Sequence, residues 1–278
     1  MIELAVVSLV WAFSFGLIKG QLTGLDPALV AFVRLAISLV VFLPLLRLRG
    51  LSRRLIAELL IIGAVQYGLM YLAYIWSYRW LQAYEVALFT VVTPLFVTLL
   101  YDLETRTFRS RFLLAAAVVV VGAGVVSFRG LSGGGLFGFL LLQASNACFA
   151  FGQVRYKRLR ARHPRLDDKR VFALLYAGAV ATTGLFAVAT VDASAVHVTS
   201  RQALTLAYLG VLPSGLAFFL WNRGATKVSS GLLATFNNAK VPLGVAVSLF
   251  VFGEEADLLR LAVGGGLVAI GVIAAARR

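Results

Sequence analysis

The 278-residue chain is 60% hydrophobic and 14% charged, with a mean hydropathy of +0.91. Soluble domains are about 45–50% apolar and about 25% charged, so this composition excludes a large aqueous domain. The formal charge of +14 then has membrane topology as its first explanation, and a nucleic-acid partner is not expected.

Taken in chain order, ten apolar stretches have lengths near the ~20 residues that a spanning helix needs. They cover 2–20, 27–46, 55–77, 82–101, 110–128, 135–154, 171–191, 202–222, 228–252 and 258–276. The opening Met1-Ile2-Glu3-Leu4 lacks the basic region of a signal peptide, so the first stretch is expected to be retained. Alternating segments of an outer-membrane barrel are missing. With a cytoplasmic N-terminus, nineteen of the 26 Lys and Arg residues fall on inside ends. They include Arg47, Arg49, Arg53, Arg54 and the basic run from Arg155 to Arg170. Five (Lys19, Arg79, Arg129, Arg201 and Arg260) fall outside. The pattern predicts an all-α integral membrane protein of the cell inner membrane, with ten transmembrane helices and both termini cytoplasmic. The basic run reads as topology and contact with anionic membrane lipids.

The two halves repeat. Gly68-Leu69 recurs as Gly215-Leu216 and Val121–Val126 as Val268–Ile273, both 147 residues on; Pro94 recurs as Pro242, 148 residues on. Five helices per half is an odd number, so the halves must be inverted in the membrane, as in many alternating-access carriers. The predicted units are 1–130 and 131–278, divided near the Gly-rich stretch 130–135.

The segment Tyr208-Leu209-Gly210-Val211-Leu212-Pro213-Ser214-Gly215-Leu216-Ala217-Phe218, with Trp221-Asn222-Arg223, Lys227–Ser230, Pro242 and Phe252-Gly253-Glu254, resembles the second half of an EamA-type carrier. Such carriers belong to the drug/metabolite transporter superfamily. Trp11, Lys19, Pro27, Arg34 and Pro94 resemble the first half. The chain looks most similar to YddG-type amino-acid exporters. The resemblance implies ten helices in two inverted repeats and the outward movement of small metabolites, amino acids above all. The first half departs from it where Asp102-Leu103-Glu104 stands opposite Gly253-Glu254.

Lys240 is the sharpest candidate, because a cation midway along an apolar helix costs at least a few kcal/mol. It shares a face with Asn237, and Pro242 leaves the carbonyl of Asn238 without its helical donor. Pro94 does the same to Thr90. Repeat-related helix breaks at Pro94 and Pro242 point to a transport site. Lys240 then either binds a substrate carboxylate or takes part in charge coupling, with Asn237 and Asn238 beside it. The structural alternative is a cation satisfied by buried acceptors.

Tyr67, Tyr71, Tyr74 and Tyr78 share one helix face over about 16 Å. Shifted by 147 residues, the first three map onto Ser214, Phe218 and Trp221. These walls either line a cavity or pack helices together; for Tyr78, Trp76 and Trp80 an interfacial belt is favoured. Trp11 and Phe15 share a face that either closes the cavity or packs. Gln143, Asn146, Ala150 and Gln153 form a polar stripe, cavity wall or interhelical glue. Gly264, Gly265 and Gly266 are expected to allow close helix approach. Arg34 is expected to pair with Glu85, with attraction of anionic groups as the alternative.

No catalytic constellation emerges, so no enzyme is expected. Cys148, His163 and His197 have no metal-ligand spacing, and no metal or cofactor is expected. One protomer suffices to enclose a cavity. Rival readings are export of other organic metabolites or drugs, a non-coupled channel, or an intramembrane enzyme.

Overall fold

The computed structural model describes residues 2–22, 24–105, 111–127, 134–228 and 230–276. Arg106, Arg109, Arg129, Arg277, Arg278 and most of the Gly-rich boundary 130–135 lie outside the described residues, as do the side chains of Asp102, Glu104, Arg111 and Asn238.

The described residues are helical and contain no strand. The elements are α1 (Ile2–Gln21), α2 (Pro27–Phe42), α3 (Arg53–Gly63), α4 (Met70–Ser77), α5 (Ala83–Phe89), α6 (Thr93–Thr105) and α7 (Arg111–Ser127). There follow α8 (Gly134–Arg162), α9 (Asp168–Thr190), α10 (Ser200–Leu209), α11 (Ala217–Ala225), α12 (Ser230–Phe250) and α13 (Leu258–Ala276). A π-helical segment, Ala64–Leu69, joins α3 to α4, and a second, Gly210–Leu216, joins α10 to α11; a 3₁₀ turn, Thr90–Val92, joins α5 to α6. Thirteen helices with three such joins make ten rods among the described residues.

Local chemistry sets the ends. Asp26 caps α2 by accepting from Ala28 N at 2.7 Å, with Pro27 in the first turn. Ser52 caps α3 and Asp167 caps α9. Thr199 and Gln202 form a reciprocal capping box on α10.

Seven rods among the described residues are long and apolar enough to cross a membrane; Ala117–Val126, Lys240–Phe250 and Leu258–Gly271 are shorter apolar stretches. Val40, Leu185, Val188, Leu204 and Phe250 are exposed on the outside of the bundle. Such an apolar surface suits lipid and not water.

The rods pack as α1 on α12, α4 on α8, α2 on α9, α6 on α8, α5 on α12 and α7 on α13. Close approach is local. A Cβ on Gly63 would run into the Leu175 backbone, and one on Gly178 into that of Leu60, so α3 and α9 meet backbone to backbone. Of the three glycines expected to permit approach, Gly264 lies on Gly122, whereas Gly266 has open space.

Candidate functional site

The second π segment shifts the backbone hydrogen-bond register, and side chains from other rods donate to its carbonyls. Trp11 Nε1 donates to Pro213 O at 3.0 Å. The Tyr176 hydroxyl donates to Ser214 O at 2.5 Å and Gly215 O at 2.9 Å. Ser38 Oγ donates to Gly210 O at 2.8 Å. Pro213 has no N–H to offer, which keeps this stretch from closing as an α-helix. Ser214 is held so that its hydroxyl accepts from Arg34 Nε at 3.1 Å and from the Tyr71 hydroxyl at 2.8 Å.

Arg34 is 2% exposed. Its Nη2 donates to Tyr71 at 3.3 Å, and its guanidinium carbon lies 4.8 Å from the Tyr71 ring centroid. Its Nη1 has no hydrogen-bond partner. Lys240 is 7% exposed. Its Nζ donates to Asn237 Oδ1 at 3.1 Å and lies 4.9 Å from the Trp11 ring and 5.9 Å from the Phe149 ring. Both cations line one cavity of about 70 Å³.

The cavity has two unlike walls. Trp11, Phe15, Tyr71, Tyr74, Phe149 and Phe218 give an aromatic wall. Thr90, Thr93, Ser145 and Asn146 give a neutral polar one. No carboxylate lines it among the described residues. The carbonyl of Thr90, which Pro94 cannot serve, accepts from the Thr93 backbone N–H and from Thr93 Oγ1 at 2.7 Å. Asn146 Nδ2 donates to Phe89 O and Gln143 Oε1, both at 3.1 Å.

Eight of the residues singled out from the sequence thus line one cavity: Lys240, Arg34, Trp11, Phe15, Tyr71, Tyr74, Asn146 and Phe218. Three others stand behind it. Asn237 holds Lys240, Trp221 packs 5.1 Å from Trp11, and Tyr67 accepts from Asn222 Nδ2 at 2.8 Å. The Asn238 side chain is outside the described residues. Tyr78 is buried and shares a hydrogen bond with Tyr74, so it is not a belt residue.

Two expectations need correction. The Arg34–Glu85 pair does not form: Arg34 is held by Ser214 and Tyr71, while Glu85 accepts from Gln82 N at 2.7 Å to cap its own helix, α5. Pro242 does not interrupt α12, which runs unbroken across it. Neighbouring helices can satisfy the one acceptor it frees. Pro94 does sit at a real change of geometry, in the first turn of α6 just after the 3₁₀ turn. Ser14, Met70, Thr93, Ser145 and Phe149 were missed, and Thr90 was singled out only for its carbonyl. Phe149 had a signal, three residues after Asn146 on the same helix face.

Among the described residues no group of His, Cys, Asp and Glu could hold a metal ion.

The sequence matches the EamA-like transporter family over residues 1–128 and 136–277. It is 39% identical over 267 residues to a probable biotin transporter of Pseudomonas aeruginosa, covering 95% of this chain and 93% of the relative. It is 37% identical over 259 residues to the biotin transporter of Escherichia coli K12, covering 92% and 86%. The Salmonella typhimurium biotin transporter is 36% identical over 257 residues, again covering 92% and 86%. A crystal structure of another protein superposes with a TM-score of 0.67 at 18% identity, covering 98% of this chain and 94% of that one. That likeness concerns the fold.

Proposed function

The chain belongs to the EamA-like transporter family, a multi-pass membrane transporter and not an enzyme, and on that premise we propose that it carries biotin across the cell inner membrane by alternating access. The observation that carries the reading is the pairing of Arg34 and Lys240 in a cavity whose described lining has no carboxylate. Biotin has one carboxylate, a neutral ureido ring and an apolar sulfur ring. The anion answers the two cations, the ureido group suits the Thr90, Thr93, Ser145 and Asn146 wall, and the aromatic wall takes the apolar ring.

The amino-acid substrate expected from the sequence is corrected. The relatives at 36–39% identity are named as biotin transporters. The physical reason agrees. A zwitterion would bring its ammonium between two buried cations with no acid to pair it, and a cation–π contact of about 2 kcal/mol is weak compensation for that repulsion.

The test is counterflow of labelled biotin in proteoliposomes, wild type beside Lys240→Met. Saturable counterflow is expected, with competition from desthiobiotin and none from biotin methyl ester or an amino-acid panel. Lys240→Met should lower transport at low substrate about ten- to a hundredfold, the value of a charge-assisted hydrogen bond. Loading the vesicles on one side reads the outward direction in the same assay. Folded wild-type protein that moves no biotin would overturn the substrate; linear, non-saturating flux would mean a channel.

A further inference from the structure

A second site lies away from the transport cavity, where the ends of four rods meet. The turn after α2 and the first turn of α9 are tied by Arg47 N donating to Arg170 O at 3.0 Å. Between them is a cleft of about 660 Å³, lined by Arg47, Arg49, Arg162, Arg165, Arg170 and His163, with Asp167 its lone carboxylate among the described residues.

The acids nearby are already engaged. Asp167 pairs with Arg170 at 3.2 Å, Glu58 with Arg162 at 2.5 Å, and Asp168 with Arg160 at 2.8 Å. Arg47, Arg49 and Arg165 have no ion pair among the described residues and are exposed. Three unneutralised guanidiniums converge on one cleft, each with the planar fork that matches phosphate oxygens. The cleft also has an apolar side of Leu51, Leu55, Leu166 and Val171. Free phosphate has no use for that side. A phosphate joined to glycerol and acyl chains does, and the cleft sits at rod ends, where headgroups lie.

We propose that this cleft binds the headgroup phosphate of one anionic phospholipid, with Arg47, Arg49 and Arg165 on the phosphate and the leucines on the glycerol and first acyl carbons. The bound lipid fastens the end of α2, the rod that carries Arg34, to the start of α9.

The full chain in a neutral detergent is titrated with short-chain phosphatidylglycerol, with phosphatidylcholine of equal chain length, and with inorganic phosphate, reading heat and melting temperature. Phosphatidylglycerol should bind saturably at one site and raise the melting temperature; the other two should do neither at matched concentration. The triple variant Arg47→Gln/Arg49→Gln/Arg165→Gln should weaken that binding about a hundredfold, from ~1 kcal/mol per basic residue. A control with the same charge loss on neighbouring residues outside the cleft, Arg53→Gln/Arg54→Gln/Lys169→Gln, should bind as wild type. Equal weakening in both variants would reduce the site to a diffuse surface potential and overturn the proposal. Phosphate binding as tightly as phosphatidylglycerol would overturn the lipid source. Should the triple variant not fold, Arg165→Gln alone carries the same comparison, with about a fivefold loss expected.

Discussion

Arg34 divides its donors three ways: Nε to Ser214, Nη2 to Tyr71, and Nη1 to no protein atom. Only a rigid guanidinium fork can hold two partners and present a third donor. Arg34→Lys keeps the charge but has one flexible nitrogen for all three tasks. Its expected effect is a rise of about ten- to a hundredfold in KM for biotin counterflow, from the loss of 1.5–3 kcal/mol of charge-assisted bonding. Maximal rate and melting temperature in detergent should stay near wild type. An unchanged KM would remove Arg34 from recognition. Both cations were legible in the sequence because a charge in an apolar stretch has few reasons to be there. Their partners were not. Glu85 is on the expected side but caps its own helix, a contact that charge counting cannot see. The polar wall was hidden for a related reason. Hydroxyls in apolar helices often bond back to their own carbonyls, as Ser8 does to Leu4 O and Thr183 to Ala179 O, so Ser145 and Thr93 look the same in sequence as residues that do nothing for a ligand.

The element that organises the site is the π segment Gly210–Leu216. Four of its carbonyls accept from side chains of other rods and so position them. Tyr176 takes two of them at once. Tyr176→Phe removes a buried donor shared by two carbonyls, which costs about 1 kcal/mol. The melting temperature in detergent should fall by several degrees, while Tyr208→Phe, half exposed and on the outside, should leave it unchanged. Equal melting of the two variants would mean the segment is held by packing alone. Most rods were readable to within a few residues, because a lipid-facing helix must be apolar for the full thickness it crosses. The reading stopped short on α8. The expected stretch ended at 154, yet the helix continues to Arg162. There it has left the apolar pattern and is held by Arg155 and Arg162 on Glu58 and by Arg160 on Asp168. The π segments were invisible for the opposite reason: they change hydrogen-bond register without changing hydropathy. Gly68-Leu69 and Gly215-Leu216 marked their places as repeat anchors, but not their geometry.

At the scale of the whole molecule, the packing of α1 on α12 and of α6 on α8 relates the first and ninth rods as it relates the sixth and fourth. That exchange matches two related halves, and the alternating access proposed above means opening one end of the cavity at a time. Along α1, Trp11 separates two ends. Leu4 lies near Gly224, and Gly16 lies against the Phe252 ring. Each end carries a contact between the halves. Toward Gly224, Gln66 Nε2 donates to Asn222 Oδ1 at 3.1 Å. Toward Phe252, the Glu254 carboxylate accepts from Ala83 N at 2.9 Å and Tyr84 N at 3.0 Å, at the N-terminus of α5, and also from Ser248 Oγ. A carboxylate on a helix N-terminus gains from both the free N–H groups and the helix dipole. Glu254→Gln keeps the shape but offers one neutral acceptor for three donors, so the arrangement with that contact made loses about 1–2 kcal/mol. Because the opposite end is untouched, the loss shifts the balance between the two openings and not the fold. A Tyr74→Cys reporter in a Cys148→Ala background should then react with a membrane-impermeant maleimide about ten times faster from the Phe252 side in Glu254→Gln than without it. Asn222→Ala should do the reverse. Identical labelling in all three proteins would mean that neither contact is a gate, and that closure resides in the aromatic packing of Trp11, Phe218 and Trp221.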